Sequence, residues 1–236
     1  MSLTPEKRAS GHEFLDLPPE AYRCTELEES LGDIRLVNRY LGDRRALLKH
    51  LAAKVDGSAS FTALDIATGS ADLPMAIVDW ARRAGIHATI TGIDINEQTI
   101  QVARKRAVGH PEIKLQVADG LRLPFADKSF DFVLCSKTMH HFSNEDVVRL
   151  IQEMLRVAKR GFILMDLRRS WIAYRLIYLL TRIFTRNRLT RHDGPLSVLR
   201  AFTAGELAAL ASSAGATDFT ISREPFWLLV LSGDLP

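Results

Sequence analysis

Short apolar, β-branched runs alternate with longer stretches of helical spacing through the middle of the chain. FTALDI (61–66), ATITGID (88–94), IKLQVA (113–118), FDFVLCS (130–136) and FILMDL (162–167) predict strands, and 71–84, 97–108 and 145–158 predict the helices between them. Strands separated by helices of this length are βαβ units, so the pattern predicts a doubly wound α/β fold with a parallel sheet. A further helix is predicted at 203–214, followed by ATDFTIS (216–222) and FWLLVLSG (226–233). These two runs lie too close together for a helical crossover and predict an antiparallel hairpin. Upstream, 26–55 is helical and amphipathic, with Ile34, Val37, Leu41, Leu47, Leu48 and Leu51 on its apolar side. Residues 1–58 are therefore expected to form a helical cap over the sheet or the mouth of its site.

The 236 residues fit a single α/β domain with an insertion, and 47% hydrophobic with 25% charged residues is ordinary globular composition. Cys24 and Cys135 stand far apart without metal-ligand spacing, which favours a reducing, cytoplasmic setting and predicts no metal site. The first twenty residues lack an apolar core of signal-peptide length, and no run reaches the ~18 apolar residues of a membrane span. Net charge is only +3, yet ten Lys or Arg stand against Asp166 and Asp193 between Lys159 and Arg200. A nucleic-acid-binding protein would carry a broader basic face interleaved with aromatics. No D-P-P-Y-like amino-methylating motif is present either, so no nucleic-acid partner is expected.

The chemistry concentrates where predicted strands end. The first runs into LDIATGSADLP, turning toward a helix through Ala67, Thr68, Gly69, Ser70 and Ala71, small residues that let backbone N–H groups approach a ligand. The dinucleotide pattern G-x-G-x-x-G is absent, and Asp65 and Asp72 place carboxylates where a pyrophosphate would sit. That disfavours a nucleotide-dependent oxidoreductase. A ligand carrying an ammonium and a sulfonium but no phosphate, S-adenosylmethionine, suits such a turn, although Asp72 can equally stabilise a helix N-terminus. The second strand ends in GIDIN, where Asp94 can accept two hydrogen bonds from a ribose diol or cap the helix beginning at Glu97. The third ends in VADG, where Asp119 can accept from an adenine amino group and Gly120 leaves room for the ring; alone, Asp-Gly is a turn signal.

Together LDIATGSADLP, GIDINEQTI, VADGLRLPFADKSFDFV and LCSKTMHHF resemble, in order and spacing, the motifs of class I S-adenosylmethionine-dependent methyltransferases. The likeness is to the small-molecule branch that includes ubiquinone and menaquinone biosynthesis methyltransferases, and it covers roughly 60–167. It implies a seven-stranded, Rossmann-like sheet with a reversed final hairpin, S-adenosylmethionine as cofactor, and cofactor contacts extending to Ile95 and Ser136. Ala67 and Ala71 stand where many relatives carry glycine.

On the acceptor side, His140 and His141 follow the fourth strand and Asp166 lies near the end of the fifth. A histidine with a carboxylate partner there can take a proton from a phenol or enol; the alternative is loop packing or capping. Residues 168–200 predict a lid-like helical insertion, with Arg175, Arg182 and Arg186 on one face and Trp171, Tyr174, Ile177, Tyr178 and Leu180 supplying apolar surface. Such a helix can cover a pocket for a small apolar or aromatic acceptor, lie on an anionic membrane surface, pack against a second copy, or simply pack on its own domain. A methyltransferase-like binding protein or membrane adaptor is the alternative to an enzyme.

Overall fold

The computed structural model describes residues 3–55 and 57–235. Among these, seven strands form one sheet: β1 (Ser60–Ile66), β2 (His87–Asp94), β3 (Ile113–Val117), β4 (Phe130–Ser136), β5 (Ala158–Leu167), β6 (Phe219–Glu224) and β7 (Leu228–Asp234). Their spatial order is β3-β2-β1-β4-β5-β7-β6, parallel except for β7, which runs antiparallel to β5 and β6. The sheet and reversed hairpin foreseen from the apolar pattern are both present.

Successive strand residues point to opposite faces, so a sheet covered on both sides needs nearly continuous apolar strands. Leu64, Ile66, Val133, Cys135 and Leu164 pack toward α5 (Asn144–Val157) and α8 (Ala204–Ser213). Ala63, Ile90, Phe132, Leu134, Ile163 and Met165 pack the other way, toward α2 (Asp43–Val55) and α3 (Asp72–Ala84). Helix α5 shows why these segments coil. Val147, Leu150, Ile151, Met154 and Val157 recur every three or four residues and are buried, and Ser143 Oγ caps the helix by accepting from Asp146 N at 3.1 Å. Each such buried side chain contributes about 1.5–3 kcal/mol over exposure. Cys135 is buried within β4, whereas Trp80 and Trp227 are half-buried.

The amphipathic stretch 26–55 is two helices. α1 (Cys24–Tyr40) stops before Gly42, whose φ of +91° a helix cannot continue through, and α2 restarts at Asp43. α2 lies on β5 and β7, while α1 packs on α4 (Glu97–Arg106) and on α7 (Arg188–Arg200). Helix α2 therefore covers the sheet, and α1 bridges α4 and α7.

The insertion also resolves into two helices, α6 (Trp171–Phe184) and α7. Arg186 lies beyond α6 and does not share its face with Arg175 and Arg182. Thr185 is extended, and its Oγ1 donates to Asp33 Oδ2 at 2.6 Å and accepts from Asn187 N at 3.1 Å. Asn187 then caps α7 by accepting from Leu189 N and Thr190 N. Pro195 sits inside α7 and has no N–H for the Arg191 carbonyl, which accepts from Arg182 Nη1 at 2.9 Å instead. α7 buries Leu189, Asp193, Val198 and Arg200, whereas in α6 Ala173 alone is buried and Phe184 is 77% exposed. Among the described residues no helix is long and apolar enough to cross a membrane.

Candidate active site

The strand order reverses between β1 and β4, so chains leaving their carboxyl ends part to opposite sides and open a crevice there. After β1 the backbone turns through Ala67 (φ +54°), Gly69 (φ +55°) and Ala71 (φ +60°) before α3 begins. Left-handed geometry costs an alanine about 1–2 kcal/mol, so two of these three positions hold strain. Gly69 N donates to Asp94 Oδ2 at 3.1 Å, and Asn96 N donates to Asp94 Oδ1 at 3.0 Å. Helix α4 is capped by Asn96, whose side chain accepts from Gln98 N and Thr99 N. Asp94 is thereby released from capping and stays at the crevice.

Asp65 is 2% exposed and accepts from Thr68 Oγ1 at 2.7 Å. Burial pushes its carboxyl up to about 7; the Thr68 hydrogen bond opposes this, and Asp72 and Asp94 add to it. Burial raises the Asp94 carboxyl as well, against the donations from Asn96 and Gly69. Three carboxylates thus crowd one turn. Asp72 is already engaged: Asn38 Nδ2 donates to its two oxygens at 3.3 and 3.2 Å, and Arg44 Nη2 lies 3.6 Å away. Asn38 Oδ1 accepts from Lys137 Nζ at 2.9 Å, and Lys137 pairs with the buried Asp43 at 2.6 Å. These partners come from α1, α2 and the loop after β4, and no local motif marks them.

At the end of β3, Asp119 Oδ1 accepts from Leu121 N at 2.8 Å, an Asp-Gly turn whose carboxylate is exposed. A Cβ on Gly120 would meet Ile66 Cγ2 at 2.7 Å, so the backbone approaches β1 more closely than a side chain permits. Ile95 is 71% exposed beside Asp94, and among the described residues the buried Ser136 Oγ at the end of β4 has no hydrogen-bond partner. Asn96 Nδ2 donates to Tyr22 Oη at 2.9 Å, drawing the N-terminal segment over β2.

Across the crevice, His140 Nδ1 pairs with Asp166 Oδ1 at 2.7 Å, and His140 N donates to Oδ2 at 3.0 Å. Burial alone would raise the fully buried Asp166 carboxyl, but the charge and hydrogen bonds of His140, with that of Leu167 N, outweigh it and hold it below the usual range. His141 Nδ1 pairs with Asp16, whose other oxygen accepts from Arg200 Nη1 at 2.7 Å. Burial works to raise the Asp16 carboxyl and these two partners overcome it, leaving it lowered. Glu13, 2% exposed, accepts from Ser197 Oγ at 2.9 Å, and burial pushes it up to about 7 against His141, Ser197 and Arg200. Arg200 Nε and Nη2 donate to the carbonyls of His140 and His141, and Arg8 Nη2 donates to those of His140 and Phe142. The 3-10 turn Met139–His141 is therefore clamped by α7 and the N-terminal arm. His141 also bears electrostatically on Asp94, so the two halves of the crevice adjoin. Glu13, Asp16 and Arg200 escaped the sequence reading because HEFLD and the end of the insertion carry no signature of a site.

A family profile described as a methyltransferase domain matches residues 64–165, which takes in the strained turn, Asp94, Asp119, Ser136 and both histidines. Residues 64–165 belong to the methyltransferase domain family. The match ends within β5, so α1, α2, α6 to α8 and the β6–β7 hairpin lie outside it. The demethylmenaquinone methyltransferase of Lysinibacillus sphaericus is 30% identical over 122 residues, 52% of this chain and 48% of that protein. That of Bacillus velezensis is 33% identical over 101 residues, 42% and 41% of the two chains. The chain thus spans about half the length of these curated relatives. Among solved structures, a SAM-dependent methyltransferase from Aquifex aeolicus superposes with a TM-score of 0.62 at 17% identity, over 89% of this chain and 98% of that one. Human N-acetylserotonin methyltransferase in complex with SAM gives 0.65 at 18% identity, over 93% and 60%. The architecture is the Rossmann-like fold of SAM-dependent methyltransferases.

Proposed function

We propose that the protein is an S-adenosylmethionine-dependent methyltransferase acting on a small, largely apolar acceptor that presents a phenol, enol or quinol. The observation that carries the cofactor is the acidic turn. Asp65, Asp72 and Asp94 surround a strained bend that would repel phosphate, and no cationic side chain enters the balance at Asp65. This suits an ammonium. Asp94 spends one lone pair of each oxygen on Gly69 and Asn96 and keeps others for a ribose diol. Asp119 and Gly120 flank the place for adenine, with Ile95 and Ser136 beside it. S-adenosylmethionine supplies a methyl group on a sulfonium, and its displacement asks the protein mainly for positioning.

The acceptor class is supported by the demethylmenaquinone methyltransferase relatives and by the histidine pair. With Nδ1 committed to Asp166, His140 keeps Nε2 free to take the acceptor proton, and Asp166 positions and stabilises the ring. His141 stands second in that role. The insertion 168–200 covers the acceptor side. α7 seats on the histidine turn, and the apolar face of α6 turns outward, suited to an apolar acceptor or an anionic membrane surface that supplies it. Calorimetry with S-adenosylmethionine and its demethylated product tests the reading. Micromolar binding of both is expected, and a folded chain that binds neither is no methyltransferase.

A further inference from the structure

Each crevice histidine gives Nδ1 to a carboxylate, His140 to Asp166 and His141 to Asp16. In the neutral rings that leaves both Nε2 atoms as acceptors, and both face Glu13. His140 Nε2 lies 3.7 Å from Glu13 Oε1, and His141 Nε2 lies 3.8 Å from Oε2. One donor atom from each residue lies within 4.8 Å of the other two. The separations are too long for hydrogen bonds but close to the ~3.3 Å between neighbouring ligands on a tetrahedral ion with bonds of about 2.0–2.1 Å. Glu13 Oε1 is buried and takes no hydrogen bond among the described residues; Arg200 Nη1 stands 3.7 Å from it but donates to Asp16 at 2.7 Å. Three acceptors therefore converge, and among the described residues no hydrogen bond joins them.

We propose that Glu13, His140 and His141 bind one divalent transition-metal ion through two imidazole nitrogens and a carboxylate. The surroundings are those of a metal centre. Carboxylates holding Nδ1 of both rings set the tautomer that leaves Nε2 for a metal. Imidazole with carboxylate selects zinc, cobalt, nickel or ferrous iron over calcium and magnesium. Three protein ligands leave a fourth position of a tetrahedral ion to water or another small ligand. Metal and proton compete for the same Nε2 lone pairs. The site rests on geometry and not on the methyl-transfer reading, so it is tested without cofactor or acceptor.

The whole chain is stripped with chelator and titrated with cobalt(II). One equivalent should bind, with the visible absorption of a four- or five-coordinate ion. Zinc should shift two histidine Nε2 resonances in ¹⁵N spectra. His140→Gln and Glu13→Gln should each weaken binding at least tenfold, and Asp166→Asn, which keeps every ligand, by about 10- to 100-fold. Absence of saturable cobalt binding by folded wild type, or binding untouched by these substitutions, overturns the site. If a variant fails to fold, the wild-type ¹⁵N spectra decide: zinc that moves no Nε2 resonance excludes it.

Discussion

Gly69 N donates to Asp94 Oδ2 at 3.1 Å, fastening the turn after β1 to the end of β2. One carboxylate thus shapes the turn and faces the place assigned to ribose. Asp94→Ala should weaken S-adenosylmethionine and its product alike by about 1.5–3 kcal/mol, the range for hydrogen bonds to a charged group. Calorimetry on the folded variant measures this. Equal affinity for variant and wild type would remove Asp94 from the cofactor site.

The buried Asp65 makes stability depend on pH. Its carboxyl lies near 7 in the folded chain and near the usual ~3.9 when unfolded, so the folded state binds this proton more tightly. Its contribution to stability therefore falls as pH rises from about 4 to 7 and is level above that. Asp65→Asn should gain nothing near pH 4 and on the order of 2–4 kcal/mol at pH 8 in the cofactor-free chain. Urea unfolding at both pH values checks it. A gain independent of pH would show that ionisation of Asp65 is not what costs stability.

Ala67 holds φ +54° in a region that glycine enters freely. Relief of about 1–2 kcal/mol of strain outweighs the ~0.5–1 kcal/mol of chain entropy that glycine loses, so Ala67→Gly should stabilise by up to about 1 kcal/mol. Chemical denaturation reads the difference. Clear destabilisation would mean that the methyl group packs more tightly than its half-buried position implies.

His140 and Asp166 make the proton-transfer reading testable in chelator-treated enzyme with an accepted substrate. His140→Ala should lower turnover about 10²- to 10⁴-fold with S-adenosylmethionine affinity nearly unchanged. Asp166→Asn should lower it less and displace the pH–rate profile, because the ring loses the carboxylate that holds its Nδ1 proton. Turnover and pH dependence that survive loss of both histidines would leave positioning alone as the source of rate.

Periodicity in the sequence was enough for the sheet, because alternating faces and buried parallel strands write themselves into neighbouring residues. The carboxylates Asp65, Asp94 and Asp119 were legible for the same reason: each lies within two residues of the end of its own strand. Arg186 shows the limit of local spacing. It keeps helical register with Arg182, but Thr185 and Asn187 find partners on α1 and at the start of α7 that end the helix first. Asn38 on Asp72, Lys137 on Asp43, and Glu13 with Asp16 on the histidine pair were decided only by the fold. Such contacts join segments far apart in the chain, and their strength comes from burial that excludes water, a property of the packed whole that no residue's neighbours in sequence record.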